Sequence, residues 1–261
     1  MNAKEKKSPL TAKPLRNPGQ SLDEAIDKML DEEASKYALL IVVPIVFALL
    51  EWYRWYFQTP VSPWTYTRLA LLICPYPAYR LFTIKKKLTS LKLGRDGEKA
   101  VGQYLESFRE EGFKIFHDIP GGKFNLDHVL IGPKGILVVE TKTYSKPAQG
   151  KPIIVYDGHR LIIDGGKPTD AALNQANAQA TWLKQLLIES AGKSPSIKPV
   201  IVFPGWMIES KQAGFDPAVW VLNPKALPSF LKHMPPSLST EEVSLFSYHL
   251  SRSIRASYPV D

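Results

Sequence analysis

The clearest hydrophobic pattern in the chain is a pair of short apolar runs, at residues 129–131 and 136–139. The sequence Gly-Pro-Lys-Gly, at positions 132–135, separates them. Short β-forming runs that are joined by a Gly/Pro turn predict a β-hairpin. We therefore expect two antiparallel strands within residues 125–142, with an apolar centre.

Charged side chains stand at one end of this predicted hairpin. Asp127 precedes the first apolar run, and Glu140 and Lys142 follow the second. Strand side chains alternate between two faces, so Glu140 and Lys142 share a face and Asp127 lies almost opposite them. Burial of such groups costs free energy unless they pair or hold a cation. The pattern alone leaves two interpretations open: an exposed Glu–Lys pair where a strand frays, or a functional charged site.

Alternation and helical periodicity predict an α/β domain around the hairpin. His128 alternates with Asp127 along the first strand, which favours a packed or surface histidine on the opposite face. The sequence contains neither a phosphate-binding glycine loop nor a Ser–His–Asp pattern. Helices are expected at 97–108, 169–189, 223–233 and 239–256, and further strands at 113–119, 153–156, 161–163, 199–203 and 219–222.

The N-terminal region, residues 1–36, has little hydrophobic patterning. Residues 1–20 carry Lys and Pro with few large apolar groups, which is typical of a disordered tail. Residues 21–36 have a narrow apolar stripe at helical spacing, with Ser21 in an N-cap position. We expect a short surface or interfacial helix there.

Two long apolar segments follow, within residues 37–84. Residues 38–50 are uninterrupted apolar, and an aromatic cluster at 52–57 extends them to the roughly 20 residues that cross a bilayer. The second segment, at 69–84, contains two prolines, which membrane helices tolerate. The pattern predicts a two-helix transmembrane hairpin in a lipid bilayer, with a buried soluble helical hairpin as the alternative.

The distribution of charge predicts the orientation of that hairpin. The chain has a net charge of +8, and residues 85–93 form a basic linker that begins with Lys85-Lys86-Lys87. Basic residues lie before the first apolar segment and directly after the second, which places both termini and the following domain in the cytoplasm. We expect a multi-pass protein of a bacterial inner membrane.

Two compositional facts restrict the chemistry. Cys74 is the sole cysteine, which excludes an internal disulfide and a Cys-rich zinc site. Residues 97–261 hold 18 basic and 16 acidic side chains. Because this domain is nearly neutral, strong electrostatic binding of nucleic acid over its whole surface is not indicated.

Several short motifs stand in a fixed order between residues 94 and 190. Gly-x-x-Gly-Glu at 94–98 precedes Asn-Leu-Asp-His at 125–128, and Glu-Thr-Lys at 140–142 closes the hairpin. A helix bearing Gln175 and Gln179 follows. In this order and spacing the segment resembles the NERD (nuclease-related domain) family. The family has Asn-Pro before the Gln-bearing helix, where this chain has Ala171-Ala172.

The resemblance implies a fold and a set of site residues. The NERD family is assigned to the PD-(D/E)xK nuclease superfamily. This implies a nuclease-like domain at 94–261, with a restriction-endonuclease-like α-β-β-β-α-β core and a C-terminal helical extension. It implies that Glu98, Asp127 and Glu140 bind Mg²⁺ or Mn²⁺ through oxygen ligands. It also implies that Lys142 is catalytic, with Gln175 or Gln179 orienting it or the phosphate.

The implied function is hydrolysis of phosphodiester bonds in DNA or RNA by a membrane-tethered, metal-dependent nuclease. The alternative is a non-catalytic nucleic-acid-binding or scaffolding module at the membrane. Simpler roles also stay open for three residues. Glu98 would complement a helix dipole, and Gln175 and Gln179 would be solvated. The sequence does not distinguish DNA from RNA, endonuclease from exonuclease, or one oligomeric state from another.

Overall fold

The computed structural model describes residues 15–58, 64–122, 124–147, 150–211 and 217–257. The chain divides into two compact units. One is Ser21–Leu93, and the other joins Gly94–Asp261 with the N-terminal residues up to Gln20. Residues 1–14 of the expected tail and the Pro-containing turn expected at 59–63 lie outside the described residues.

The first unit is helical. It contains helix α1 (Gln20–Lys28), a π-helical turn (Met29–Ala34), α2 (Ser35–Tyr56), α3 (Trp64–Ile73) and the beginning of α4 (Pro75–Leu105). Helix α2 packs against its neighbours through aromatic contacts. Phe47 stacks on Tyr66 of α3 at 5.6 Å between ring centroids, and Arg80 Nε of α4 donates to Tyr37 Oη at 2.9 Å.

One helix in this unit is long and apolar enough to span a membrane. Gln20–Tyr56 runs for 37 residues, and 6 % of its most apolar stretch is buried. The second segment expected to cross, 69–84, is divided between α3 and α4 on either side of Cys74. Within the described part of the chain, Gln20–Tyr56 alone meets the requirements of length and hydropathy.

Helix α4 begins well before the position that the sequence predicted. Its basic stretch, 85–93, is helical, since it contains neither Gly nor Pro and is rich in Lys and Leu, which favour helices. A 3₁₀-helix, Glu106–Glu111, completes the element, and Gly112 terminates it in the left-handed conformation at φ 86°.

The second unit is built on a five-stranded sheet. Its strands, in spatial order, are β1 (Lys114–Pro120), β2 (Asn125–Gly132), β3 (Gly135–Thr141), β6 (Ile197–Val202) and β8 (Trp220–Leu222). The first three strands are antiparallel neighbours, whereas β3, β6 and β8 run parallel. A smaller sheet places β4 (Ile153–Tyr156) between β5 (Leu161–Ile163) and β7 (Met207–Ser210).

Helices cover both faces of the large sheet. The core on one face joins α4 and α6 (Leu227–His233) to the strands. The core on the other face joins α5 (Ala171–Ala191) and α7 (Thr240–Ala256) to them. A third core lies between the small sheet, the start of α5 and the ends of β6 and β8. Strand β3 is therefore buried along its whole length, which fits its continuous apolar sequence.

The predicted order of helix, three strands, helix and strand is observed, and the mixed α/β class is confirmed. The hairpin of β4 and β5 has its predicted residues. The Ser239 capping box that begins α7 is formed in both directions, with Ser239 Oγ accepting from Glu242 N and Glu242 accepting from Ser239 N. Strand β7 was not predicted. It is only four residues long and mostly exposed, so it lacks an apolar pattern and depends on parallel pairing with β4.

Candidate active site

The central hairpin brings Asp127 and Glu140 together at one edge of the large sheet. The cluster that surrounds them is called the rim and consists of Glu98, Asp127, Glu140, Lys142, Gln175 and Gln179. In its register His128 faces Val139, so the residues before and after them, Asp127 and Glu140, are cross-strand neighbours. The Thr141 N–H donates to Asp127 Oδ2 at 2.7 Å, which fixes this carboxylate against the end of β3. The hairpin turn, which the sequence predicted, therefore positions two acidic groups together.

Glu140 is 3 % exposed and accepts hydrogen bonds from three side chains of the rim. Lys142 Nζ lies 2.6 Å from Glu140 Oε1. Gln175 Nε2 donates to the same oxygen at 2.7 Å, and Gln179 Nε2 donates to Glu140 Oε2 at 2.5 Å. Lys142 also donates to Gln175 Oε1 at 2.8 Å. An ammonium and two amides therefore satisfy a carboxylate that burial alone would destabilise.

The backbone holds Lys142 in place after β3 ends. Lys142 N donates to Val202 O at 2.9 Å, which continues the β3–β6 ladder by one residue. Gln175 and Gln179 stand one turn apart on α5 and share a face. Ala171 N donates to Thr169 Oγ1 at 3.3 Å where α5 begins, so the helix forms without the Asn-Pro of the family pattern.

Glu98 reaches the rim from α4. Gly97 makes this approach possible, since a Cβ at that position would lie 1.8 Å from Thr143 Oγ1. The Glu98 carboxyl is half-buried and makes no hydrogen bond or ion pair with another described residue. It does interact electrostatically with Asp118, Glu140 and Lys142.

The crowding of carboxylates changes their acidity. Burial, with the nearby charges of Asp118 and Glu140, raises the pKa of Glu98 to about 8. Burial, with Glu140 and Glu98, raises the pKa of Asp127 well above its usual value. Burial acts to lower the pKa of Lys142, but Glu140 and Asp127 outweigh it and the net shift is upward. The rim holds more negative charge than Lys142 balances, so a proton or a cation is favoured there.

Sequence reasoning missed a fourth acidic group, which lies beside Glu98, Asp127 and Glu140. Asp118 of β1 is 2 % exposed and adopts the left-handed conformation at φ 49°. Its Oδ1 accepts from Asn125 Nδ2 at 3.0 Å, and its Oδ2 accepts from Arg16 Nε at 2.6 Å. Neither the backbone conformation of Asp118 nor a contact 102 residues apart leaves a local pattern in the sequence. Asp118 could have been found from the pairing of β1 with β2, because this pairing places Asp118 opposite Asp127.

Sequence reasoning also missed a pair of histidines. The sequence left a packed and a surface position open for His128, and the structure buries it fully. Its Nδ1 lies 2.8 Å from Nδ1 of His117, whose Nε2 lies 2.8 Å from Glu106 Oε1. Burial lowers the pKa of both histidines. The two are cross-strand partners in β1 and β2 and pack on the face opposite Asp127.

The segment that carries these residues is similar to a known family. Residues 93–204 match the model of NERD, the nuclease-related domain. The match supports a nuclease-related domain in this part of the chain. No curated protein and no solved structure matches the chain. The NERD segment begins inside α4 and ends just after β6, so it contains every residue of the rim. Arg16 lies outside it.

The carboxylates of the rim offer oxygen ligands for a metal ion, but those of Glu140 are already hydrogen-bonded. Among the described residues, no group of three or more His, Cys, Asp or Glu side chains is arranged to hold a metal ion. Glu98, Asp127 and Glu140 are electrostatic neighbours, but both Glu140 oxygens accept hydrogen bonds from Lys142, Gln175 or Gln179. Glu98 and Asp127 offer carboxylate oxygens, the donors that Mg²⁺ and Mn²⁺ prefer. The carboxylate oxygens of Glu98 and Asp127 therefore suit a divalent cation, whereas the carboxylate of Glu140 is bound to the ammonium of Lys142.

Proposed function

We propose that this protein is a divalent-metal-dependent nuclease that hydrolyses phosphodiester bonds in DNA or RNA. The observation that carries the proposal is the convergence of Asp127, Glu140 and Lys142 at one rim of a NERD segment. The excess of negative charge at this rim also supports the proposal. Burial and this charge raise the pKa values of both Glu98 and Asp127, so a bound cation would be stabilised there.

The proposed roles follow from the contacts. Glu98 and Asp127 would hold Mg²⁺ or Mn²⁺ with Glu140, and the cation would polarise the scissile phosphate and acidify a bound water. Lys142 carries a raised pKa and stays protonated at neutral pH, so it can stabilise negative charge that develops on the phosphate. Gln175 contacts both Lys142 and Glu140 and would keep the ammonium directed into the rim.

The protonation of the rim would control when it binds a cation. Glu98, with a pKa of about 8, and Asp127 must lose their protons before their oxygens act as ligands. A cation would lower both pKa values because it replaces the missing positive charge. Activity should therefore rise from slightly acidic to slightly alkaline pH.

We also propose that the protein is held in a membrane by its N-terminal helices. Gln20–Tyr56 has the required length and hydropathy, and its apolar stretch is exposed, whereas the core helix of a soluble protein would be buried. The proposal extends to a second crossing at 69–84 and to cytoplasmic placement of both termini and the NERD domain. The basic residues 85–87 support that orientation.

A second candidate is a nucleic-acid-binding or scaffolding module without catalysis. The engagement of both Glu140 oxygens by side chains of the protein favours it, because these contacts satisfy the site without a metal. The near-neutral charge of residues 97–261 also argues against strong electrostatic binding of a long nucleic acid.

The test uses the full-length protein in detergent, with single- and double-stranded DNA and RNA, in Mg²⁺, in Mn²⁺ and in EDTA. The proposal expects metal-dependent cleavage that Asp127→Ala abolishes. Glu189→Gln, a change on the exposed part of α5, serves as the matched control. Binding without cleavage of any substrate would favour the second candidate, and cleavage that survives Asp127→Ala would refute the proposed site.

A further inference from the structure

A buried ion pair joins the candidate site to a segment outside the NERD match. Arg16 Nε lies 2.6 Å from Asp118 Oδ2, and the two side chains are 8 % and 2 % exposed. The residues are 102 positions apart in the chain. Charges as buried as these are costly unless they are paired, so the contact favours one arrangement of both residues.

The segment that carries Arg16 is fitted closely to α4. A Cβ on Gly102 would lie 2.4 Å from Pro18 Cγ, and a Cβ on Gly19 would lie 3.2 Å from Arg95 Cγ. Gly19 also has a φ of +69°, which favours glycine. Two glycines therefore permit residues 15–19 to pack against the same part of α4 that carries Glu98.

A series of contacts leads from Arg16 to Glu140 through both the side chain and the backbone of Asn125. Asp118 accepts from the side-chain Nδ2 of Asn125 at 3.0 Å, and the backbone carbonyl of Asn125 accepts from Gln179 Nε2 at 3.1 Å. The same Gln179 amide donates to Glu140 Oε2 at 2.5 Å. Gln179 Oε1 is buried without a partner among the described residues, so the orientation of this side chain depends on its Nε2 contacts.

We infer that Arg16 is a positioning residue of the candidate site, which orients Gln179 and thereby Glu140 through Asp118 and Asn125. The candidate site is then completed by the N-terminal segment, directly before the helix that begins at Gln20. The expected effect on cleavage rests on the proposed function, whereas the expected effect on Gln179 does not.

The experiment follows the side-chain amide signal of Gln179 by NMR in the full-length protein in detergent. The signal is assigned by its disappearance in Gln179→Met. Both hydrogen bonds of this amide should make its exchange with solvent slow. We expect Arg16→Ala to shift the signal and accelerate its exchange, with a smaller effect for Arg16→Lys, which keeps the charge. The backbone amides of Leu130 and Leu137, in the sheet centre, should be unchanged.

Lys193→Ala is the matched control, because it removes the exposed ion pair of Lys193 with Glu242 in the same unit. It should leave the Gln179 signal as in the wild type. A Gln179 signal that stays unchanged in Arg16→Ala would overturn the inference. If Arg16→Ala does not fold, the double variant Arg16→Ala/Asp118→Asn also removes the buried charge of Asp118. Its Gln179 signal is then compared with that of the wild type, with the same expected and contradicting results.

Kinetics supply the second measurement where the wild type cleaves nucleic acid. Loss of a residue that orients a ligand side chain typically costs about 10- to 100-fold in activity. We expect that loss in kcat, with little change in KM, for Arg16→Ala but not for Lys193→Ala. An unchanged kcat in a folded Arg16→Ala protein would refute the inference. Absence of cleavage in the wild type would refute the nuclease proposal alone, since the Gln179 signal still tests Arg16.

Discussion

The raised pKa of Glu98 makes a specific prediction about stability and pH. Burial and the charges of Asp118 and Glu140 raise this pKa from 4.5 to about 8 in the folded protein. Between these values the folded state holds a proton that the unfolded state has released. The stability due to protonated Glu98 is therefore complete below pH 4.5 and is lost progressively as the pH rises towards 8.

The perturbation is Glu98→Gln, which keeps the shape of the side chain and removes its charge. Each pKa unit corresponds to about 1.4 kcal/mol, so the interval from pH 4.5 to pH 7 corresponds to ~3 kcal/mol. For a unit of this size, ~3 kcal/mol is equivalent to roughly 6–12 °C in Tm. We expect the Tm of Glu98→Gln to equal that of the wild type at pH 4.5. At pH 7, without metal, it should be higher than that of the wild type by roughly 6–12 °C.

The assay is thermal unfolding of both proteins in detergent and EDTA, at half-unit steps from pH 4.5 to pH 8. The difference between the two Tm values reports the titration of Glu98 together with its effect on Asp127, whose pKa is raised by burial and by the charges of Glu140 and Glu98. Glu189→Gln, on the exposed face of α5, should follow the wild type at every pH. A difference between Glu98→Gln and the wild type that does not change with pH would show that the charge of Glu98 is not destabilised by the rim.

Three further predictions concern the same rim and the helical unit. Mn²⁺ should raise the Tm of the wild type by linkage and should not raise that of Glu140→Gln, as scanning fluorimetry would show; an equal response in both would exclude Glu140 from the cation site. Gln175→Met should lower kcat more than it raises KM, because Gln175 contacts Lys142 and Glu140 and would act after substrate binds. The full-length protein should stay with the membrane during carbonate extraction, and its release into the soluble fraction would refute the tether.

The hairpin and its charged end were predictable because their determinants are local. Strand alternation and the turn at 132–135 are sufficient to bring Asp127 opposite Glu140. The one-turn spacing of Gln175 and Gln179 likewise follows from helical geometry alone. The roles assigned to these residues and to Lys142 stay predictions, because geometry shows their proximity and not their chemistry.

Asp118 and the histidine pair were not predicted because they depend on long-range contacts, whereas the helical state of 85–93 has a local cause that the charge pattern obscured. Asp118 requires a left-handed backbone within β1, and its partner Arg16 comes from a segment that composition describes as a tail. The His117–His128 contact requires the pairing of β1 with β2, which no residue spacing reveals. Helix α4 continues through 85–93 because nothing there breaks a helix, although the charge pattern suggested a linker.

Lys142 offers a way to separate the two candidate functions. Its ammonium lies 2.6 Å from Glu140 Oε1, where a bound cation would require the same oxygen. A charge-assisted hydrogen bond contributes about 1.5–3 kcal/mol, so a metal that displaces Lys142 from Glu140 binds against that cost. If Glu140 is a metal ligand, Lys142→Ala should tighten Mn²⁺ binding about 10-fold or more and still abolish cleavage.

Titration calorimetry with Mn²⁺ measures this directly, with Lys193→Ala as the control for loss of a lysine away from the rim. The carboxylates of Glu98, Asp127 and Glu140 would then share one cation in the variant, with no ammonium in competition. Weaker Mn²⁺ binding in Lys142→Ala would show that Lys142 supports the cation indirectly and that Glu140 is not its ligand. Absence of Mn²⁺ binding in both the variant and the wild type would assign the Lys142–Glu140 pair a structural role, as the non-catalytic module requires.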